Sequence, residues 1–321
     1  MNNLELKPLT FVPYLKSVIW GGNKICVFKG IEQPEPNIGE SWEISAVPGH
    51  ESVIAEGKYK GLKITELIDR FPKEILGTKV IEKYGRTFPL LIKIIDAADN
   101  LSVQVHPDDE LARLRHNSLG KTEMWYIIDS DKGAKIFSGL NTGMTPDDYI
   151  RRVADGTFAE TLAVHDSEAG DVFFLPAGRV HAIGAGNLLA EIQESSDITY
   201  RIYDYDRRDA NGNTRELHTE LAKDAIDFSV YPDYKSPRPD ENDPDTIIAS
   251  CRHFTTRRII INGSCSFNTS PDCFSVLICV KGDIEINGLT IPRGHSVLIP
   301  AALNKINLDG NGVALLTSSC K

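Results

Sequence analysis

The sequence predicts a mainly β protein, a sandwich or barrel of short strands interrupted by a few helices. Three observations carry that prediction. Strand-forming runs are short and frequent, turns rich in Gly, Asp and Asn separate them, and the clearest runs alternate apolar and polar residues with a period of two. A parallel sheet would need a helix after most strands, and helical spacing occurs in only four places.

In chain order, strand patterns occupy 18–20, 41–44, 90–96, 101–105, 124–128 and 134–138. Apolar residues fall at helical spacing over 62–71, 107–115, 145–155 and 217–228. The third of these opens with Thr145 as cap and Pro146 at the first helical position, where a missing N–H costs nothing. A strand led by Gly170 then runs into Pro176-Ala177-Gly178, a tight turn that sends the chain back with His181 at the start of the next strand. Residues 231–245 hold four prolines among acidic side chains and read as an extended linker.

Strands with Gly and Asn turns return from 251 to 320, where 280–288 and 294–301 echo the earlier pattern. Aligning Ile299-Pro300-Ala301 with Leu175-Pro176-Ala177 puts Asn304 about where a counterpart of His181 would stand. No Gln-x-His pair precedes it, and His295 sits beside the turn glycine instead. The expected organisation is a catalytic unit over 1–235, a linker over 236–248 and a degenerate, metal-free copy over 249–321.

Composition bounds the function. A chain of 321 residues with 41% hydrophobic content has ample material for a large core and a second smaller unit. Its net charge of −10 argues against a nucleic-acid surface or an anionic membrane as partner, because both need a concentrated basic face. Cysteines stand at 26, 251, 265, 273, 279 and 320, with no C-x-x-C pair and no common zinc spacing, so ordinary reduced thiols are expected. The opening Met1-Asn-Asn-Leu-Glu-Leu-Lys7 has neither the basic start nor the apolar run of a secretory leader, and no run is long enough to span a membrane. A cytoplasmic location is therefore expected.

The chemistry concentrates in three segments. Gln104 and His106 are two apart in a strand whose apolar residues are Val103 and Val105, so both polar side chains leave the same face and point into a pocket. Glu123 and His181 complete a set of oxygen and nitrogen donors without thiolate, suited to a divalent ion of the zinc, manganese or cobalt type. A single strand histidine is more often a satisfied core residue than a ligand, but three segments agree here. His116 and His165 lack such context.

These segments, SVQVHPDDE from Ser102, GKTEMWYII from Gly120, GDVFFLPAGRVHAIGAG from Gly170 and AEIQESSDITYRIYDYDRR from Ala190, resemble the short bacterial type I mannose-6-phosphate isomerases of the cupin superfamily. The resemblance extends from Trp20-Gly21-Gly22 and Gly39-Glu-Ser-Trp-Glu43 through Arg215-Glu-Leu-His218 and weakens over the last eighty or so residues. It implies a bicupin, two double-stranded β-helix (jelly-roll) barrels with helical insertions. It further implies one zinc ion per chain on Gln104, His106, Glu123 and His181. Arg201, Lys121 and Glu191 match the family's catalytic residues, Ser102 joins Lys121 and Arg201 in binding substrate, and Trp42 and Glu43 are placed in the floor or wall of the site.

The reaction this implies interconverts mannose 6-phosphate and fructose 6-phosphate by moving a proton between C2 and C1 through an enediol(ate). It requires ring opening, a base, and stabilisation of the developing charge. Glu191 and Lys121 are rival bases, while Arg201 offsets charge or grips the phosphate. Arg179, Arg207 and Arg208 are further candidates for the phosphate. Lys93, inside an apolar strand, must pair with an acid or reach a cavity. Read from the residues alone, Arg201 could instead make cross-strand ion pairs, and Tyr200, Tyr203 and Tyr205 fit barrel packing. The alternative class is a non-catalytic sugar-phosphate binding or regulatory protein, since fold alone does not fix function. Such a module would be expected to have lost Lys121, Glu191 or Arg201, and all three are present.

Overall fold

Antiparallel pairing organises the described residues, 7–208 and 212–320 in this computed structural model, into sheets of nine, six and five strands. The start of the chain before Lys7, on which the absence of a leader was read, lies outside them. The six-stranded sheet runs Val172–Leu175, Glu123–Ser130, Asn187–Glu194, Leu90–Ala97, Ile38–Ile44, Tyr14–Gly22. The five-stranded sheet runs Tyr200–Tyr203, Val103–Val105, His181–Ile183, Lys135–Leu140, Leu162–Asp166.

These two sheets face each other. Ile95, Trp125, Ile127, Phe173, Leu175 and Leu189 of the first share a buried cluster with Ile136 and Ile183 of the second. The period of two explains the division of labour: Leu189 points inward, while its neighbours Ala190 and Ile192 pack outward. The outward face of the six-stranded sheet is therefore also apolar. It is covered by the helices Ile64–Arg70, Pro72–Leu76 and Thr78–Tyr84 and by the nine-stranded sheet. In that sheet Val276 and Ile278 join this shared core, and Leu277 and Cys279 join a second core on the other face. A strand buried on both faces reads as a continuous apolar run, which Val276 to Val280 is.

Strands from both ends of the sequence meet in the nine-stranded sheet. Leu9 and Thr10 pair with Leu298 and Val297, and Phe11 and Val12 pair with Ile54 and Val53. Near this junction Lys29 is buried, with its Nζ donating to Glu43 Oε1 at 2.6 Å and to the Gly294 carbonyl at 2.6 Å. The helix Pro146–Ala154 begins with the expected chemistry. Thr145 Oγ1 accepts from the Asp148 amide, and the Asp148 carboxylate accepts from the Thr145 amide, a reciprocal cap on Pro146–Ala154.

One expectation fails. Cys273 and Cys320 form a disulfide rather than remaining thiols, while Cys26, Cys251, Cys265 and Cys279 are free. The cause is register. Ser275 pairs with Ser318 across two antiparallel strands, so the positions two residues beyond each again face one another, with Cα atoms 6.0 Å apart. Spacing along the chain carries no trace of that pairing.

Candidate active site

The site is built from rungs of side chains that face each other across the sandwich. In the five-stranded sheet Arg201 pairs with Gln104, Gln104 with His181, and His181 with Ser138, one residue from each of four neighbouring strands. In the six-stranded sheet Trp42, Lys93, Glu191, Trp125 and Phe173 form one rung, and Gln193, Glu123 and Leu175 form the next. Residues spread from 42 to 201 thus meet because register aligns them.

Glu123, His106 and His181 converge between the sheets. His181 Nε2 lies 3.2 Å from Glu123 Oε1, and His106 Nε2 lies 3.6 Å from Glu123 Oε2. One donor atom from each of the three falls within 4.8 Å of the others, and all three residues are buried. His106 Nδ1 meets the Ile198 carbonyl at 3.0 Å, and His181 Nδ1 meets the Arg179 carbonyl at 2.8 Å. Those carbonyls require N–H at Nδ1, which leaves both Nε2 lone pairs turned to the carboxylate. Gln104 Nε2 is 3.3 Å from His181 Nε2, and a half-turn of its amide would present oxygen at the same point.

The electrostatics suit a divalent cation. His106 Nε2 and both Glu123 oxygens are buried without a hydrogen bond, an arrangement native interiors avoid unless another group completes it. Burial pushes the Glu123 carboxyl up to about 7, against the opposing pull of Lys121 and with help from Glu191. Burial pulls His181 down to about 4, and it pulls His106 well below the usual imidazole range, with Lys121 reinforcing both. Two neutral imidazoles, an amide and a carboxylate are the donor set a divalent ion of the zinc type accepts.

Two lysines stand beside that centre, and Arg201 is next to Gln104 in the strand register. Lys121, buried, has its Nζ 3.4 Å from Glu123 Oε2. Lys93, also buried, donates to Glu191 Oε1 at 3.0 Å, lies 3.8 Å from Glu40 Oε2, and sits over the Trp42 ring at 5.2 Å. Glu191 Oε2 accepts from Trp125 Nε1 at 2.8 Å. Burial opposes ionisation of Glu191, but Lys93, Lys121 and the two hydrogen bonds prevail and hold its carboxyl at about 2. Arg201 Nη1 donates to the Glu216 carbonyl at 2.9 Å, and its buried Nε has no partner. Ser102 is buried two residues before Gln104.

Other sequence candidates lie elsewhere. Glu43 alternates with Trp42 and faces the opposite side, where Ser41 and Lys29 hold it, so only Trp42 flanks the site. Arg207 and Arg215 share Asp204 at 2.5 Å each, Arg208 donates to the Gly212 carbonyl at 2.7 Å, and Arg179 stacks 4.5 Å over the Tyr234 ring. His116 meets Tyr200 Oη at 2.7 Å and His165 meets the Ser138 carbonyl at 3.2 Å, both outside the cluster. Glu40, Trp125 and Ser138 are site residues that sequence reasoning passed over. Trp125 was within reach, because it follows Glu123 by two on the same strand face.

Comparison with known proteins gives this geometry its context. Residues 9–135 match the catalytic domain model of type I phosphomannose isomerase. The chain is 36% identical to the mannose-6-phosphate isomerase ManA of Bacillus subtilis over 314 residues, 96% of this chain and 97% of that protein. It is 35% identical to the mannose-6-phosphate isomerase of Streptococcus mutans, over 95% of this chain and 96% of that one. The crystal structure of a mannose 6-phosphate isomerase from Bacillus subtilis superposes with a TM-score of 0.84 at 31% identity, covering 97% of this chain and 99% of that chain. Likeness at this level over nearly the whole length places more than the fold in common: the chain belongs to the type I phosphomannose isomerase family and is an isomerase.

Proposed function

We propose that this chain interconverts D-mannose 6-phosphate and D-fructose 6-phosphate, using one zinc ion held by Gln104, His106, Glu123 and His181. The observation that carries the reading is the convergence of His106, His181 and the hydrogen-bond-free Glu123 carboxylate, in a chain 36% identical to a mannose-6-phosphate isomerase. A bound zinc ion would supply Lewis acidity toward a substrate oxygen.

The chain's own residues supply the rest. Arg201, with its unpartnered Nε, offsets the charge that develops on an enediolate or holds the phosphate, and Ser102 contributes a hydroxyl to substrate binding. Glu191 has both oxygens already accepting hydrogen bonds and stays ionised, which suits a fixed anion orienting Lys93 better than a base. Lys121 then becomes the favoured carrier of the proton between C2 and C1. The architecture we assign is a bicupin, with 1–235 catalytic and 249–321 a metal-free partner beyond the 236–248 linker, the sheet of 249–321 also taking in Leu9–Val12, Val53–Ile54 and Asp245–Ser250. Among the described residues neither ligand-type cluster lies within 249–321 alone.

The test is a coupled assay for fructose 6-phosphate on metal-stripped protein with and without added zinc. Zinc-dependent turnover is expected, and absence of turnover from folded, zinc-loaded protein overturns the reading. Solvent-tritium exchange into substrate by Lys121→Ala and Glu191→Gln then separates the two groups: wild-type exchange in either variant removes that residue as the base.

A further inference from the structure

The segment 120–123 carries both Lys121 and Glu123, yet only its last residue lies in a regular strand. It is held instead by two acids. Asp109, in the first turn of the helix Asp109–His116, accepts from the Gly120 amide at 3.0 Å. Glu194, the last residue of the strand that carries Glu191, accepts from the Thr122 amide at 2.8 Å. Backbone bonds from Lys121 to the Pro107 carbonyl and from Glu194 to the Thr122 carbonyl close the frame. Gly120 passes so near that an added Cβ would stand 2.5 Å from the Asp109 nitrogen, so no other residue fits without displacing the chain.

Each acid has a second oxygen, and both face one bend far along the chain. Arg252 Nη2 donates to Asp109 Oδ2 at 2.8 Å. His253 Nδ1 is 2.7 Å from Glu194 Oε2, and Arg252 Nε donates to His253 Nε2 at 2.8 Å. An Nε2 that accepts from a guanidinium carries no proton, so the ring proton sits on Nδ1, in close contact with a Glu194 Oε2 that makes no hydrogen bond. Lys83 Nζ fixes the bend by donating to the Arg252 carbonyl at 2.6 Å, and the Tyr84 hydroxyl lies 3.4 Å from His253 Nδ1. His253 and Glu194 are both buried.

We propose that Arg252 and His253 are positioning residues for the isomerase site: through Asp109 and Glu194 they set the backbone of 120–123 and with it Lys121 Nζ and the Glu123 carboxylate. This gives the C-terminal unit a part in catalysis although it contributes no group to the centre. Asp109, Glu194 and His253 also have the make-up of a cation site. The Arg252 guanidinium already serves as the cation there, bonded to two of the three.

The inference rests on the proposed function for its kinetic and zinc-release arms, whereas hydrogen exchange of metal-stripped protein is read independently of it. The test compares wild-type protein with His253→Ala, Arg252→Ala and Arg252→Lys, measuring zinc release to a chelator, kcat and KM, and hydrogen exchange of 120–123 in metal-stripped protein. Groups bonded directly to metal ligands change affinity or activity by about 10–100-fold, and Arg252 and His253 act one step further out, so the low end of that range applies. His253→Ala is expected to release zinc about tenfold faster and to lose about tenfold in kcat with KM within about twofold, while exchange over 120–123 accelerates. Arg252→Ala shifts the same way by less, and Arg252→Lys recovers part of the loss.

Arg252 is exposed, its side chain 68% accessible, so its two variants carry the test if His253→Ala does not fold. Folded variants with wild-type zinc release, kcat and exchange overturn the proposal. So does a second bound metal in wild-type protein that His253→Ala loses. Zinc release and exchange are read without substrate, so a wild-type chain that turns over no mannose 6-phosphate would count against the isomerase reading and leave the positioning result standing.

Discussion

Replacing Glu191 by Gln keeps the size of the side chain and removes its charge, at a position where both oxygens accept hydrogen bonds. An amide offers one acceptor, so either Lys93 or Trp125 then faces an NH2 group. The carboxyl stands at about 2 rather than the ordinary 4.5, a difference equivalent to about 3 kcal/mol of folding free energy at neutral pH. Removing one partner of a buried pair generally costs roughly 3–5 kcal/mol, so a loss of that order is expected here. The sign follows from the direction of the shift. A carboxyl depressed in the folded state stabilises above its unfolded value and loses that contribution as pH falls through its folded value. Urea unfolding of metal-stripped wild type and Glu191→Gln should therefore show the full gap at pH 7, narrowing below about pH 4.5 and closing toward about pH 2. The double variant Lys93→Met with Glu191→Leu should lose less stability than either single change, because no charge is left alone. A Gln variant within about 1 kcal/mol of wild type at pH 7, or a gap that stays constant as pH falls, would show that Glu191 is not a stabilising buried anion.

Glu123→Gln and His181→Asn should reduce bound zinc far below one per chain by elemental analysis, with at least about a 100-fold loss of turnover. In metal-stripped protein His181, held near 4, stays neutral while the unfolded chain takes up protons below about pH 6.5. Stability should thus fall by about 3 kcal/mol between those two values, a loss His181→Asn should lessen in a urea series. Thiol titration of denatured, unreduced protein should count four cysteines and reduced protein six, and Cys273→Ser should cost up to about 4 kcal/mol if loop closure across 47 residues sets the effect. Arg201→Lys keeps the charge but loses the planar fork, so kcat/KM should drop by roughly 10–100-fold without loss of zinc.

What the sequence disclosed, it disclosed through short-range regularities. Gln104 and His106 could be paired because strand side chains repeat every two residues, and His181 because Pro176 and Gly178 mark the turn that brings its strand back. The same rule could have found Trp125 from Glu123. Registers between strands far apart in sequence leave no such mark. Nothing local in 38–44 says that Trp42 faces Lys93 while Glu43 faces Lys29, since a one-residue slip would exchange them. The Cys273 disulfide was hidden for the same reason, being fixed by how Ser275 meets Ser318. Hidden too was the frame around 120–123, whose four polar side chains lie at 109, 194, 252 and 253.

The charges inside the sandwich bear on which substrate it can hold. Apart from the half-exposed Lys16, which reaches Glu40 from the rim at 3.4 Å, Lys93, Lys121 and Arg201 are balanced in number by Glu40, Glu123 and Glu191, and both histidines are neutral. Without an ion, burial raises Glu123 to about 7 and the balance is incomplete in the acidic direction. A divalent ion would draw Glu123 fully into its ionised form and leave the site with two surplus positive charges in a setting where isolated charge is expensive. A neutral sugar would leave that surplus in place, whereas a phosphate dianion matches it. On this argument the attraction for a sugar phosphate belongs to the assembled site rather than to any one arginine, in a chain whose overall charge of −10 would otherwise repel it. Removing the ion should then weaken phosphate binding even if no phosphate oxygen ever touches it. Titrating a non-reacting sugar phosphate into metal-stripped and zinc-loaded protein measures that coupling, and equal affinity in the two forms would show that the phosphate is held by local side chains alone.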